Sequence, residues 1–227
     1  MSHSRQAFLD DLKALEQQLV EMASLAEKSL AMAVESLTRM DSALAREAIE
    51  SDDVIDRIDL EIEHHCLRII ALQQPMATDL RVVGTCMKMI TDIERVGDFA
   101  VDIAKITLKL QQEMGDPSVI DIPRMAAHAR KMLRESIEAF VKRDLDRVTQ
   151  VVEADDEMDS LFRDTRGQLH DLMRKFPDRV VEASWLLLAI HHLERVGDHA
   201  TNIAERVHFM ETGRLENLVA KLKTERE

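Results

Sequence analysis

Long stretches of helical hydrophobic spacing alternate with short breaks along the chain. From Arg5 to Arg39, apolar residues recur every three or four positions, beginning with Phe8, Leu12 and Leu15, which is the spacing of one buried helical stripe. Five further stretches have the same spacing and predict helices over about residues 42–73, 78–112, 122–142, 145–175 and 179–210. The polar tail that follows is compatible with a short helix or with disorder.

The breaks fall at residues that end helices. Proline at position 75 disfavours helical angles at Gln74, and Phe176-Pro177-Asp178 divides the last two long helices. The strongest turn signal is Gly115-Asp116-Pro117, which has three predicted helices on each side. We therefore predict an all-α protein of two tandem three-helix bundles. Its parts are a first repeat over residues 1–115, a second over 116–213 and a polar tail over 214–227.

One repeated five-residue motif, called the repeated word below, supports this internal duplication. Glu-Arg-Val-Gly-Asp occupies residues 94–98 and recurs unchanged at residues 194–198. Such repeats indicate copies of one structural unit. In each copy a glycine, Gly97 or Gly197, lies inside a predicted helix, where glycine costs about 1 kcal/mol relative to alanine. We expect the backbone there to approach another helix or a bound ion closely.

Composition excludes several classes of function. The net charge is −13 without a basic cluster, so nucleic acid and anionic membrane surfaces are disfavoured as partners. The N-terminus lacks an apolar signal core, and the longest apolar run, Trp185–Ile190, is far below the roughly 20 residues that span a bilayer. Cys66 and Cys86 have no paired spacing and are interpreted as reduced core thiols. We expect a cytoplasmic protein without membrane insertion.

Acidic residues four positions apart occur at matching heights on neighbouring predicted helices. In an antiparallel hairpin, two residues lie level when the midpoint of their numbers falls at the turn. The pairs centred on the turn at residue 75 are Asp52 with Asp98 and Asp56 with Glu94, and those centred on the turn at 176.5 are Asp155 with Asp198 and Asp159 with Glu194.

Four carboxylates at one level repel one another unless cations neutralise them. Such oxygen-rich sites suit Mg²⁺, Ca²⁺, Mn²⁺ or iron, so we predict one metal site in each repeat. The alternative is that Arg95, Arg195 and other basic residues neutralise the acids, or that the acids project into solvent. A phosphate-cradling glycine loop and a catalytic triad are both missing from the sequence, so we predict neither an enzyme nor an organic cofactor.

Histidines near these acids offer weaker candidates for ligands. His191, three residues before Glu194, would add a nitrogen to the second site, although helical histidines are more often surface or core residues. Glu61-x-x-His64 and Glu205-x-x-His208 are similar to the paired signature of ferritin-like di-iron bundles. These two motifs lie at unlike places in their repeats, which argues against that reading. The other histidines considered are His65, His192 and His199.

The repeated word, the turn Gln74-Pro75-x-Ala77-x-Asp79-Leu80-Arg81 and the upstream acidic words together resemble the PhoU family of phosphate-transport accessory proteins. The resemblance covers about residues 5–212. It implies two three-helix bundles related by a pseudo-twofold axis and a negative regulator of the phosphate regulon. It also implies partners, namely the ATPase subunit of the phosphate ABC transporter and a sensor histidine kinase, and makes a homodimer plausible.

Some members of that family carry iron or zinc clusters on acid-x-x-x-Asp motifs, and others carry none. The first copy of the family's tail reads Asp102-Ile103-Ala104-Lys105, whereas the second keeps Asn202-Ile203-Ala204-Glu205, so the two sites are expected to differ in charge and occupancy. A ferritin-like di-iron enzyme and a metal-free structural adaptor stay as alternatives. The ligands implied by motif are Asp52, Asp56, Glu94 and Asp98 in the first repeat and Asp155, Asp159, Glu194 and Asp198 in the second, with Asp53, Asp102 and Asp156 in reserve.

Overall fold

A computed structural model describes residues 3–113 and 115–225, and no strand occurs among them. The predicted all-α class is therefore confirmed, and the long helices lie where the hydrophobic spacing placed them. The α-helices are α1 (His3–Arg39), α2 (Ser42–Glu50), α3 (Asp52–Gln73), α4 (Thr78–Gln112), α5 (Ile122–Lys142), α6 (Leu145–Lys175), α7 (Val180–Thr212) and α8 (Leu218–Glu225).

The helices begin and end at capping residues. Asp41 accepts hydrogen bonds from the backbone N–H groups of Ala43 and Leu44, and Asp144 accepts one from that of Arg147. These bonds satisfy N–H groups that lack a partner within the helix. At the other end of a helix, Gly213 adopts a φ of 73°, a conformation that glycine reaches at little cost.

The second predicted helix is divided into α2 and α3 at Ser51. The Ser51 hydroxyl donates to the carbonyl of Ala48 at 2.7 Å, and a local side-chain bond of this kind competes with the helix ladder. Ser51 itself keeps helical angles, with φ −69° and ψ −17°, so α2 and α3 follow one another with only a short interruption. Together they occupy the place of one predicted helix.

The helices form two bundles that share one hydrophobic core. In the first bundle α4 packs against α1, α2 and α3, and in the second α7 packs against α5 and α6. Between the bundles, α4 packs along α7 and α1 packs against α5. Buried apolar residues from both bundles belong to a single contiguous cluster, so each repeat completes its core with the other.

The tail after Gly213 folds back onto the second bundle. Residues 218–225 form α8, which packs against α6. The sequence left two outcomes open for the tail, a short helix or disorder, and the short helix is observed as far as residue 225. Residues 226–227 lie outside the described residues.

Candidate functional site

The two copies of the repeated word lie on α4 and α7, which pack against each other in antiparallel fashion. Asp92 on α4 is 2.8 Å from Nδ1 of His199 on α7. The residues equivalent to Asp92 and His199 in the opposite repeats are His192 and Phe99, 100 positions later and earlier. These two form the equivalent contact, in which their rings stack with centroids 5.6 Å apart. Nε2 of His192 also lies 4.0 Å from Asp102. These matched contacts place a pseudo-twofold axis between α4 and α7.

Asp52 at the start of α3 faces the glycine of the first word. A Cβ atom built on Gly97 would lie 2.7 Å from Oδ1 of Asp52 and 3.2 Å from Cδ1 of Ile55. Asp52 Oδ1 is buried and has no hydrogen-bond partner among the described residues. Burial raises the pKa of Asp52 to about 6, and the neighbouring Asp56 and Asp98 add to the rise. The close approach expected at Gly97 is thus made by helix α3 and its carboxylate.

The other acids of the first repeat lie beside Asp52, as their matched heights predicted. Burial raises the pKa of Glu94, and repulsion from Asp98 and, more weakly, from Asp56 adds to the rise. Arg95 opposes this repulsion, with Nη1 2.7 Å from Oδ2 of Asp98 and Nε 3.5 Å from Oε2 of Glu94. The first acidic site therefore contains repelling carboxylates from two helices, which Arg95 and, at Asp52, Lys105 partly offset.

The second repeat has a related but not identical arrangement. Burial raises the pKa of both Glu194 and Asp198, and Asp159 on α6 raises both further. Asp155 and Asp198 line one cavity of about 500 Å³. The backbone at Gly197 faces an apolar side chain instead of an acid, because a Cβ atom built there would have Cγ of Met158 as its nearest neighbour, at 3.1 Å.

Basic groups neutralise part of the second site as well. Arg195 Nε is 3.5 Å from Oδ2 of Asp198, and His191 Nδ1 is 3.3 Å from Oε2 of Glu194. Glu194 Oε2 is nevertheless buried without a hydrogen bond among the described residues. Over residues 3–113 and 115–225, no three His, Cys, Asp or Glu side chains are already arranged to hold a metal ion. The acids lie together, and direct coordination by three of them requires side-chain rotation.

The remaining candidate residues are distributed over several surfaces. Asp53 and Asp156 are exposed, while Asp102 lies between Lys105 and His192. The two motifs similar to a di-iron signature do not meet in one cavity. Glu61 and His64 line a cleft together with α1 residues, whereas Glu205 lines cavities beside the C-terminal segment.

Two features of the second site were not found by sequence reasoning. The first is the hydrogen bond between His199 and Asp92, and the second is the contribution of the C-terminal segment to the cavity that holds Asp155 and Asp198. The sequence does contain a signal for the hydrogen bond, because Asp92 and His192 occupy equivalent positions in the two repeats, as do Phe99 and His199. The helical spacing of the tail carries no information about where it docks.

The helices differ from membrane-spanning segments. Within the described residues, none combines the length and the apolar character that crossing a bilayer requires.

Comparisons with known proteins give the family. The family model described as the PhoU domain matches residues 19–107 and again residues 122–207, one segment in each predicted repeat. The phosphate-specific transport system accessory protein PhoU homolog of Clostridium acetobutylicum is 37% identical over 212 residues, 93% of this chain and 97% of that protein. The homolog of the same name in Pseudomonas aeruginosa is 32% identical over 93% of this chain and 88% of its own length.

Solved structures agree with this result. The crystal structure of PhoU from Pseudomonas aeruginosa is similar with a TM-score of 0.87 and 32% identity, covering 91% of this chain and 100% of that one. The phosphate transport system regulatory protein PhoU from Streptococcus pneumoniae is similar with a TM-score of 0.85 and 28% identity, covering 92% and 99%. The family model matches once in each half of the chain and the solved structures share the helical fold, and the chain belongs to the PhoU family.

Proposed function

We propose that this protein is a non-enzymatic, cytoplasmic regulator of phosphate uptake and a negative regulator of the phosphate regulon. The observation that carries the proposal is membership of the PhoU family over both repeats. Relatives that match nearly the whole chain are named as accessory proteins of phosphate-specific transport.

The proposed partners are the ATPase subunit of the phosphate ABC transporter and a sensor histidine kinase. The regulator would link the two, so that transporter activity controls kinase output. Its long helices offer an extended surface for this role, since the 31 residues of α6, many of them exposed, span roughly 46 Å at 1.5 Å per residue. Homodimer formation, which the resemblance makes plausible, is part of the same proposal.

Deletion of the gene tests the regulatory role. Expression of phosphate-responsive genes in the deletion strain is expected to stay high when phosphate is plentiful, and the intact gene on a plasmid should restore repression. Unaltered expression in the deletion strain would refute the proposal. Pull-down with the ATPase subunit and with the kinase, each tested alone, then separates the two partner assignments.

We also propose that each acidic site binds metal, with iron or zinc as the first candidates and Mg²⁺, Ca²⁺ or Mn²⁺ as alternatives. The donor set fits hard or borderline cations, because it consists of carboxylates from two neighbouring helices. The buried Oδ1 of Asp52, which has no hydrogen bond among the described residues, supports this, since a buried charge without a partner is costly. A bound cation would supply the missing positive charge.

Elemental analysis tests metal binding directly. The protein is purified without a His-tag or chelator, and its metal content is compared with that of Glu94→Ala and Glu194→Ala. Each variant is expected to contain less metal than the wild type, by the amount that one site binds. Stoichiometric metal that persists in both variants would place the metal elsewhere, and metal-free wild-type protein after incubation with each candidate ion would favour the metal-free structural adaptor.

A further inference from the structure

The C-terminal segment is anchored over the second acidic site. We call residues 214–225, which include α8, the strap. Its Leu218 is only 9% exposed and joins the hydrophobic core. The backbone N–H of Leu218 donates to Oε1 of Glu205 on α7 at 2.7 Å. A hydrogen bond to a charged acceptor is stronger than one between neutral groups, so Glu205 fixes the point at which the strap turns into α8.

The strap forms one wall of the cavity that contains the acids. Asp155 comes from α6 and Asp198 from α7, while Asn217 of the strap closes the third side of this space of about 500 Å³. Glu205, which holds the strap, lines the same cavity. The acids and the strap therefore share one space, and whatever occupies it contacts both.

Two polar groups of this cavity are buried without partners. Thr201 lines the cavity and is 5% exposed, and its Oγ1 has no hydrogen bond within the described residues. His199 also lines it, with Nε2 buried and lacking a partner among those residues while Nδ1 is held 2.8 Å from Asp92. Histidines that ligate a metal are usually held at their other nitrogen by a carboxylate or a carbonyl, and Asp92 holds His199 in this way.

The chemistry of the cavity favours a hydrated divalent cation. Carboxylate, hydroxyl and amide oxygens line the space together with the guanidinium of Arg195, whose Nε lies 3.5 Å from Oδ2 of Asp198. Among the described residues, no three acidic or imidazole groups are placed to hold an ion directly. Mg²⁺ releases its waters reluctantly and is often held through them, so widely spaced oxygens suit it better than a fully dehydrated ion. Such an ion would reach Asp198 on the helix and Asn217 on the strap at the same time.

The first repeat lacks the anchor for a strap. The position equivalent to Glu205 is Lys105, which is exposed and has its ammonium group 3.5 Å from Asp102. A lysine has no acceptor for a backbone N–H. The two acidic sites therefore differ in more than charge, because within residues 3–113 and 115–225 the strap lines the second site and not the first.

We propose that a hydrated divalent cation in this cavity and the docked strap stabilise each other, so that the strap reports whether the second acidic site is occupied. This rests on the proposed cation binding by the acidic sites and adds a regulated element to one of them. By linkage, an ion that binds the docked form better must shift the strap towards docking, and complete undocking of the strap must weaken ion binding by the same factor.

Hydrogen exchange of the strap amides, measured by mass spectrometry with and without Mg²⁺ on the full chain, tests the proposal. At a concentration of Mg²⁺ ten times its Kd, protection of the α8 amides is expected to rise about tenfold. Asp198→Asn should abolish this rise. Asp98→Asn is the matched control at the equivalent position of the first repeat and should leave the rise intact.

A substitution at Glu205, which anchors the strap, gives a second, independent part of the experiment. Glu205→Lys copies the residue of the first repeat and is expected to lower strap protection about tenfold without Mg²⁺, as loss of a charged acceptor predicts. Because Glu205 also lines the cavity, strap protection without Mg²⁺ is the measurement that this variant decides. Calorimetry on the same samples reports ion binding itself.

The outcomes separate the two proposals. If Asp98→Asn abolishes the Mg²⁺ effect as fully as Asp198→Asn does, the coupling is overturned, because the effect is then not local to the second site. Should Mg²⁺ bind in a manner sensitive to Asp198→Asn while strap protection stays constant, the coupling is wrong but the acidic site stands. Absence of Mg²⁺ binding and of any protection change overturns the coupling, and elemental analysis for other metals then decides on the site.

Discussion

The duplicated glycine offers a sharp comparison, because the same substitution meets different neighbours in the two repeats. In Gly97→Ala, the new methyl group would lie 2.7 Å from Asp52 Oδ1 and 3.2 Å from Ile55 Cδ1. In Gly197→Ala, the nearest atom is Cγ of Met158 at 3.1 Å. Both glycines are buried within long helices, so the gain in helix propensity is the same and the packing differs.

The expected free energies follow from these contacts. Replacing glycine by alanine inside a helix stabilises it by about 1 kcal/mol, whereas an extra methyl group in a packed core costs about 1–3 kcal/mol. At position 97 the carboxylate of Asp52 must move, so the net result is a loss of up to about 2 kcal/mol. At position 197 the flexible methionine yields by a few tenths of an ångström, so the result lies between no change and a gain of about 1 kcal/mol.

Urea unfolding followed by circular dichroism measures the difference. The midpoint of Gly197→Ala is expected above that of Gly97→Ala, by the equivalent of about 1–2 kcal/mol. Chelator is present throughout, so that metal binding does not enter the comparison. Equal midpoints, or a more stable Gly97→Ala, would show that the close approach of Asp52 to α4 does not constrain residue 97, and the packing argument would fail.

The remaining predictions concern one carboxylate and two thiols. Because the pKa of Asp52 is raised from 3.8 to about 6, its protonated form favours the folded state below about pH 4, and this contribution is lost as the pH rises through 6. Asp52→Asn should therefore exceed the wild type in stability by about 1 kcal/mol at pH 7 and match it at pH 4 in unfolding titrations with chelator, while a deficit at pH 7 would contradict the sign. Cys66 and Cys86 are buried, and burial raises the pKa of Cys66 to about 12 and that of Cys86 further. Neither thiol should react with a chromogenic disulfide reagent until the protein unfolds, and rapid labelling under native conditions would refute the buried assignment.

Much of the fold could be predicted because local signals and packing agree. The bounds predicted for α4, α5 and α6 are those observed, since proline, glycine and capping aspartates lie at the ends of each hydrophobic stripe. The division at Ser51 was not predicted, because a serine hydroxyl that bonds a carbonyl three residues earlier leaves no trace in the hydrophobic spacing. The docking of α8 depends on tertiary contacts of Leu218 with the core, and the hydrophobic spacing of an eight-residue segment does not show which surface it will contact.

The acidic sites were predicted less completely than the fold. Level positions on a hairpin correctly brought Asp52 near Asp98 and Asp159 near Glu194, since Asp98 raises the pKa of Asp52 and Asp159 raises that of Glu194. The spacing could not distinguish Gly97, which faces an acid, from Gly197, which faces Met158. The rotation of each helix about its own axis decides this, and that rotation depends on how the whole core packs.

The pseudo-twofold packing of α4 against α7 gives the chain the form of a fused homodimer. A single repeat of this kind would leave the α4 face apolar and would bury it by pairing with the same face of an identical subunit, since symmetric dimers bury one patch against itself. Two identical subunits must also carry identical sites. Fusion removes that constraint, so lysine at position 105 and glutamate at position 205 can coexist in one molecule, and a tail present once can serve one site and leave its twin open.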